Sequence, residues 1–121
     1  MGQSDLPYKV ARKLLGPKKI IGLTVHSLED ALEAEQLGAD YIGVAPIFAT
    51  STKTDAGTPL GIKGLEEICK KVKLPVVAIG GIDLSNTQSV INAGADSICA
   101  ISAVITKEDV CAEVKKFQAL F

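Results

Sequence analysis

Four short, almost unbroken apolar runs, at residues 19–25, 40–45, 75–79 and 97–101, alternate along the chain with stretches of helical periodicity. Each run is rich in β-branched residues and bounded by Gly, Pro or Asp, the pattern of strands buried on both faces of a parallel sheet. Strand–helix alternation with tight joints then restricts the fold to α/β, as an open doubly wound sheet or a barrel.

The intervening stretches carry helix signals. Pro7 suits a first helical turn, and Val10, Ala11, Leu14 and Leu15 follow at helical spacing. Ser27 is placed to cap the next helix, with Glu29 and Asp30 in its first turn. Leu65, Ile68, Cys69 and Val72 form an i, i+3, i+4, i+7 stripe. Ser85 or Asn86 opens the helix containing Val90 and Ile91. Thr106 is expected to cap the last helix, with Val110, Val114 and Phe117 on one face.

One joint is used twice: Gly38-Ala39-Asp40-Tyr41-Ile42 recurs as Gly94-Ala95-Asp96-Ser97-Ile98. In both copies a glycine ends a helix and the chain enters a strand directly. The strand count is four, with the tail of a fifth at residues 1–3. Eight strands close a (β/α)8 barrel, so the reading is a single domain over residues 1–121 holding about four βα units, half of a barrel. Such a half leaves a strand edge and the inner sheet face uncovered, which favours pairing with another chain or with itself.

The 121 residues are 47% hydrophobic and 22% charged with a net charge of −1, so nothing favours nucleic acid or an acidic membrane as partner. No apolar run reaches the length of a membrane span, and residues 1–5 lack the features of a signal peptide. Three cysteines, Cys69, Cys99 and Cys111, match no zinc or redox spacing and read as buried, inert thiols of a cytoplasmic protein.

Barrel chemistry gathers at the C-terminal ends of the strands. The long loop of residues 46–60 contains Thr50, Ser51, Thr52 and Lys53, neutral donors and one mobile positive charge suited to a phosphate or carboxylate. A solvated polar loop is the plainer reading, although a length above a dozen residues is often functional. Gly80-Gly81 follows the third run and lets backbone N–H groups approach an anion, and Ile101-Ser102 ends the fourth. Asp5 either caps the first helix or offers a hard oxygen to Mg2+. His26, the only histidine, suits positioning or helix-end packing at least as well as proton transfer.

Taken in order, residues 2–7, 20–27, 38–43, 46–53, 78–82 and 101–104 resemble thiamine phosphate synthase, a (β/α)8 barrel transferase of thiamine biosynthesis that joins a pyrimidine diphosphate to a thiazole phosphate. The Thr-x-Thr-Lys loop together with the Gly-Gly-Ile turn carries most of the likeness. The resemblance implies that Asp5 is one of two Mg2+-binding aspartates. It implies that Thr24, where the family usually has serine, touches the pyrimidine diphosphate, and that Lys53 is the catalytic cation on the diphosphate. Thr50, Ser51, Thr52, Gly81, Ile101 and Ser102 would hold the thiazole phosphate.

The resemblance also places this chain in the family's C-terminal half. The first three strands, most of the fourth, a basic pyrimidine-diphosphate motif and the other aspartate would come from elsewhere, and the chain alone should not turn over. Two alternatives stand beside the synthase. Val25-His26-Ser27 resembles the related thiazole tautomerase branch, and the strand count allows a non-catalytic half-barrel subunit.

Overall fold

The computed structural model describes residues 1–52 and 57–121. Its order is α1 (Tyr8–Leu15), β1 (Gly22–Val25), α2 (Leu28–Leu37), β2 (Tyr41–Val44), α3 (Gly61–Lys71), β3 (Val76–Ile79), α4 (Thr87–Asn92), β4 (Ser97–Cys99), α5 (Ser102–Ile105) and α6 (Val110–Gln118). The four strands form one parallel sheet in the order β1-β2-β3-β4.

That order decides the architecture. Parallel strands joined to their immediate neighbours by right-handed crossovers put every crossover helix on the same face. A doubly wound sheet needs a reversal of strand order, and none occurs among the described strands. The winding is therefore of the barrel type. Burial follows it: on the helix-covered face Val25, Ile42, Val44, Val76 and Ala78 are all but sealed. On the other face Tyr41, Ser97 and Cys99 are exposed and Val77 and Ile79 half-buried.

The strands are shorter than their apolar runs because neighbouring side chains take some backbone groups. The Ile21 N–H donates to Asp40 Oδ2 over 2.7 Å, and the Lys19 carbonyl accepts from Arg12. The same device serves the repeated joint: Val76 N–H donates to Asp96 Oδ2 over 2.8 Å. Each aspartate also donates its own N–H to the same residue, Asp40 to the Ile21 carbonyl and Asp96 to the Val76 carbonyl. The repeat is thus a clamp that ties the start of one strand to the strand before it.

The helix signals hold in part. Ser27 accepts from Asp30 N–H as expected. Thr106 does not cap the last helix: its hydroxyl donates to the Ser102 carbonyl and closes the short α5, while Asp109 caps α6 by accepting from Ala112 N–H. Phe117 is buried on α6, whereas Val110 and Val114 stay exposed. The cysteine reading is also corrected. Cys69 is half-buried, which raises its thiol pKa through desolvation, but Cys99 and Cys111 are exposed. Of the fifth strand only Met1 pairs, donating its amino group to the Gly22 carbonyl and accepting from Thr24 N–H.

Candidate functional site

The C-terminal ends of the strands open into a cavity of about 510 Å3. Asp5, Thr24, Thr50, Thr52, Gly81, Ile101 and Ser102 all line it. Seven residues separated by as many as 97 positions along the chain therefore meet in one hollow. Ser51 faces a second hollow of about 600 Å3, which shares Thr50, Gly81, Ile82 and Ser102 with the first and is also lined by Lys107. Lys53 lies outside the described residues.

The long loop is anchored at both ends. Beyond β2 and β3, Ile47 N–H donates to the Ile79 carbonyl and Phe48 N–H to the Gly80 carbonyl. Leu60 N–H and Gly61 N–H return to the carbonyls of Pro46 and Ile47. Thr50 begins the hydroxyl-rich part and accepts from Thr52 N–H at 3.2 Å, a local turn that holds both threonines over the cavity.

Gly80 and Gly81 turn the chain with φ of +105° and +63°. Gly81 lies hard against residues 48–49: a Cβ there would sit 2.5 Å from the Ala49 carbonyl oxygen and 2.8 Å from Phe48 Cβ. The glycine turn and the hydroxyl loop are one packed unit for this reason. Among the described residues, no hydrogen bond engages the N–H of Gly81 or of Ile82.

Past the turn, the Asp83 carboxylate accepts from the Ser85 hydroxyl and from the N–H groups of Ser85 and Asn86. The Ser85 hydroxyl chiefly, then these N–H groups and the Lys107 charge, hold Asp83 below the usual carboxylate range. His26 faces the cavity with its ring Nδ1 2.5 Å from the Ala45 carbonyl, so Nδ1–H donates and the ring is fixed. Its backbone N–H donates to Asp30 Oδ2, which also accepts from Gln3 Nε2.

Asp5 does not cap α1. Its Oδ2 accepts from Gly2 N–H over 2.6 Å, leaving an exposed carboxylate at the cavity's edge. Among the described residues no three His, Cys, Asp or Glu side chains come together as a metal cluster. A single hard carboxylate still fits Mg2+, which keeps several waters and completes its shell with substrate phosphates. Sequence reasoning named Asn86 only as a helix opener and missed its tie to the turn, where its amide Nδ2 donates to the Gly81 carbonyl over 2.9 Å. It also missed Cys99 and Ala100 in the cavity wall. No motif marks these roles; the closure of the turn and the course of the chain beyond β4 bring them in.

Barrel-type winding, with a cavity at the carboxyl ends of the strands and a glycine turn in its wall, defines a βα-barrel-like α/β protein with its candidate site at that end of the sheet. A family model described as thiamine monophosphate synthase matches residues 1–104. The chain belongs to that family. The thiamine-phosphate synthase of Methanosarcina barkeri is 56% identical over 117 residues, covering 97% of this chain and 53% of its own length. That of Chloroflexus aurantiacus is 48% identical over 120 residues, covering 99% of this chain and 55% of its own. The solved thiamine phosphate pyrophosphorylase from Pyrococcus furiosus superposes with a TM-score of 0.90 at 44% identity, over 99% of this chain and 56% of that one. The chain spans about half the length of the curated relatives it matches.

Proposed function

We propose that this chain forms the C-terminal, thiazole phosphate-holding half of a thiamine-phosphate synthase barrel, a single domain over residues 1–121. The observation that carries the reading is the convergence of Thr24, Thr50, Thr52, Gly81, Ile101 and Ser102 on one cavity. The names of the relatives favour a transferase over the tautomerase alternative. The fixed ring of His26 supports a positioning role.

In the proposed reaction the thiazole nitrogen attacks the pyrimidine methylene carbon. A carbon–nitrogen bond forms, the carbon–oxygen bond to diphosphate breaks, and diphosphate leaves with the electron pair. Thr50, Ser51, Thr52, Gly81, Ile101 and Ser102 hold the thiazole phosphate and so orient the nitrogen. Thr24 contacts the pyrimidine diphosphate, and Lys53 is the cation assigned to stabilise the charge of the departing diphosphate. Asp5 is the residue of this chain that would hold Mg2+, which when bound supplies charge neutralisation to diphosphate oxygens.

The remaining strands, with the pyrimidine side of the site, lie outside these 121 residues. Three free cysteines support a reducing, cytoplasmic setting, and no helix among the described residues is long and apolar enough to cross a membrane. Calorimetric titration with the thiazole phosphate tests the reading. Binding is expected, and Ser102→Ala should weaken it by about tenfold, the scale of one hydrogen bond to a charged group. A chain that binds no thiazole phosphate, or binds it equally without Ser102, overturns the assignment.

A further inference from the structure

We infer that Asn86 is a positioning residue for the anion-facing turn at residues 80–83, acting through the Gly81 carbonyl. The inference rests on the reading of the cavity as a phosphate site. Both ends of the Asn86 carboxamide are engaged within one turn: Nδ2 donates to the Gly81 carbonyl over 2.9 Å, and Oδ1 accepts from Asp83 N–H over 2.9 Å. The amide cannot flip without losing both bonds.

Asn86 stands at the N-terminal end of α4, where a polar side chain ordinarily accepts from the helix's own N–H groups. It makes no such bond. Asp83 opens the helix instead, accepting from the N–H groups of Ser85 and Asn86, while its carbonyl accepts from the Thr87 hydroxyl over 2.6 Å. The Asn86 amide is thus free of the helix and directed at the turn.

The consequence follows from peptide planarity. In a trans peptide the N–H points opposite the carbonyl of the preceding residue, so fixing the carbonyl fixes the N–H. Phe48 N–H holds the Gly80 carbonyl, which sets the direction of Gly81 N–H. Asn86 holds the Gly81 carbonyl, which sets the direction of Ile82 N–H. Neither of these two donors is engaged by a hydrogen bond among the described residues. Asn86 therefore aims one of a pair of adjacent donors, and without it that peptide is free to rotate.

The test combines backbone 15N relaxation of the free protein with calorimetric titration of thiazole phosphate and of the hydroxyethylthiazole lacking phosphate. Asn86→Ala should loosen the Ile82 amide and weaken thiazole phosphate binding by about tenfold, the scale of one lost hydrogen bond. Binding of the unphosphorylated thiazole should not change. Asn86→Asp keeps an acceptor for Asp83 N–H but puts a charged oxygen in place of the donor, so the Ile82 amide should loosen in it as well even if the alanine variant fails to fold. Thr87→Val, which disturbs only the start of α4, should lower Tm and leave affinity within about twofold. An Ile82 amide as ordered in both Asn86 variants as in the wild type overturns the inference. So does equal loss for both thiazoles. A wild-type chain that binds no thiazole phosphate instead overturns the proposed function, and the relaxation data still decide whether Asn86 fixes the turn.

Discussion

At Gly81 two constraints meet in one residue. Its φ of +63° disfavours any side chain, and a Cβ would press on the Ala49 carbonyl. Gly16 separates the two, since its φ is +79° but a Cβ there would meet nothing within 4 Å. Gly16→Ala should therefore cost about 1–3 kcal/mol of stability from backbone strain alone. Gly81→Ala should cost more and also push the hydroxyl loop away from the turn, weakening thiazole phosphate binding at least tenfold on the same hydrogen-bond scale. Chemical denaturation and calorimetry read both effects; unchanged binding in Gly81→Ala would mean that the loop and turn do not act as a unit. At this scale the sequence was informative about chemistry and silent about aim. Three hydroxyls beside a lysine and a glycine pair after a strand announce an anion. Which hollow Ser51 faces, and the tie from Asn86, depend on how the turn closes.

The elements were legible through their apolar runs, and the errors fell at their ends. Residues 19–21 look like strand because Ile20 and Ile21 extend the apolar, β-branched run, yet the backbone groups of Lys19 and Ile21 bond to Arg12 and Asp40 side chains. Thr106 looks like a cap because it precedes an apolar stripe, yet a short α5 before it claims its hydroxyl. The clamp at Asp40 carries a pH prediction. The Ile21 N–H first, then Arg12, hold the Asp40 carboxyl below its usual range. A folded pKa below the unfolded one adds stability that is fully present above the unfolded value, about 3.9. It is lost as pH falls through the folded value. Urea midpoints of the wild type and Asp40→Asn should therefore differ most at neutral pH and converge below about pH 4. A gap of constant size down to pH 2.5 would show that the charge of Asp40 contributes nothing. Asp83 and Glu66 are shifted the same way and titrate in both proteins, so the comparison isolates Asp40.

For the whole molecule, the four-stranded sheet is sealed by helices on one face and open on the other. Tyr41, Ser97 and Cys99 lie exposed on that open face, and β4 offers an edge with no neighbour among the described strands. At the opposite edge Met1 occupies only the Gly22 and Thr24 positions of β1. An open edge beside an uncovered sheet face is a surface for strand pairing. A barrel whose eight strands are split between two chains would bring β4 of one against the β1 side of the other. The chain should consequently sediment above its 12.6 kDa monomer mass at micromolar concentration. Lysine at position 97 places a charge at the start of that edge, where it blocks pairing without entering the helix-covered core. Ser97→Lys should shift the protein towards monomer while leaving its far-ultraviolet circular dichroism intact. It should also lower thiazole phosphate affinity little, because Ser97 lies at the far end of β4 from Ile101 and Ser102. A wild-type chain that runs as a compact, folded monomer at all concentrations would overturn the pairing. The cavity would then have to be argued as a site that one four-stranded sheet holds open by itself.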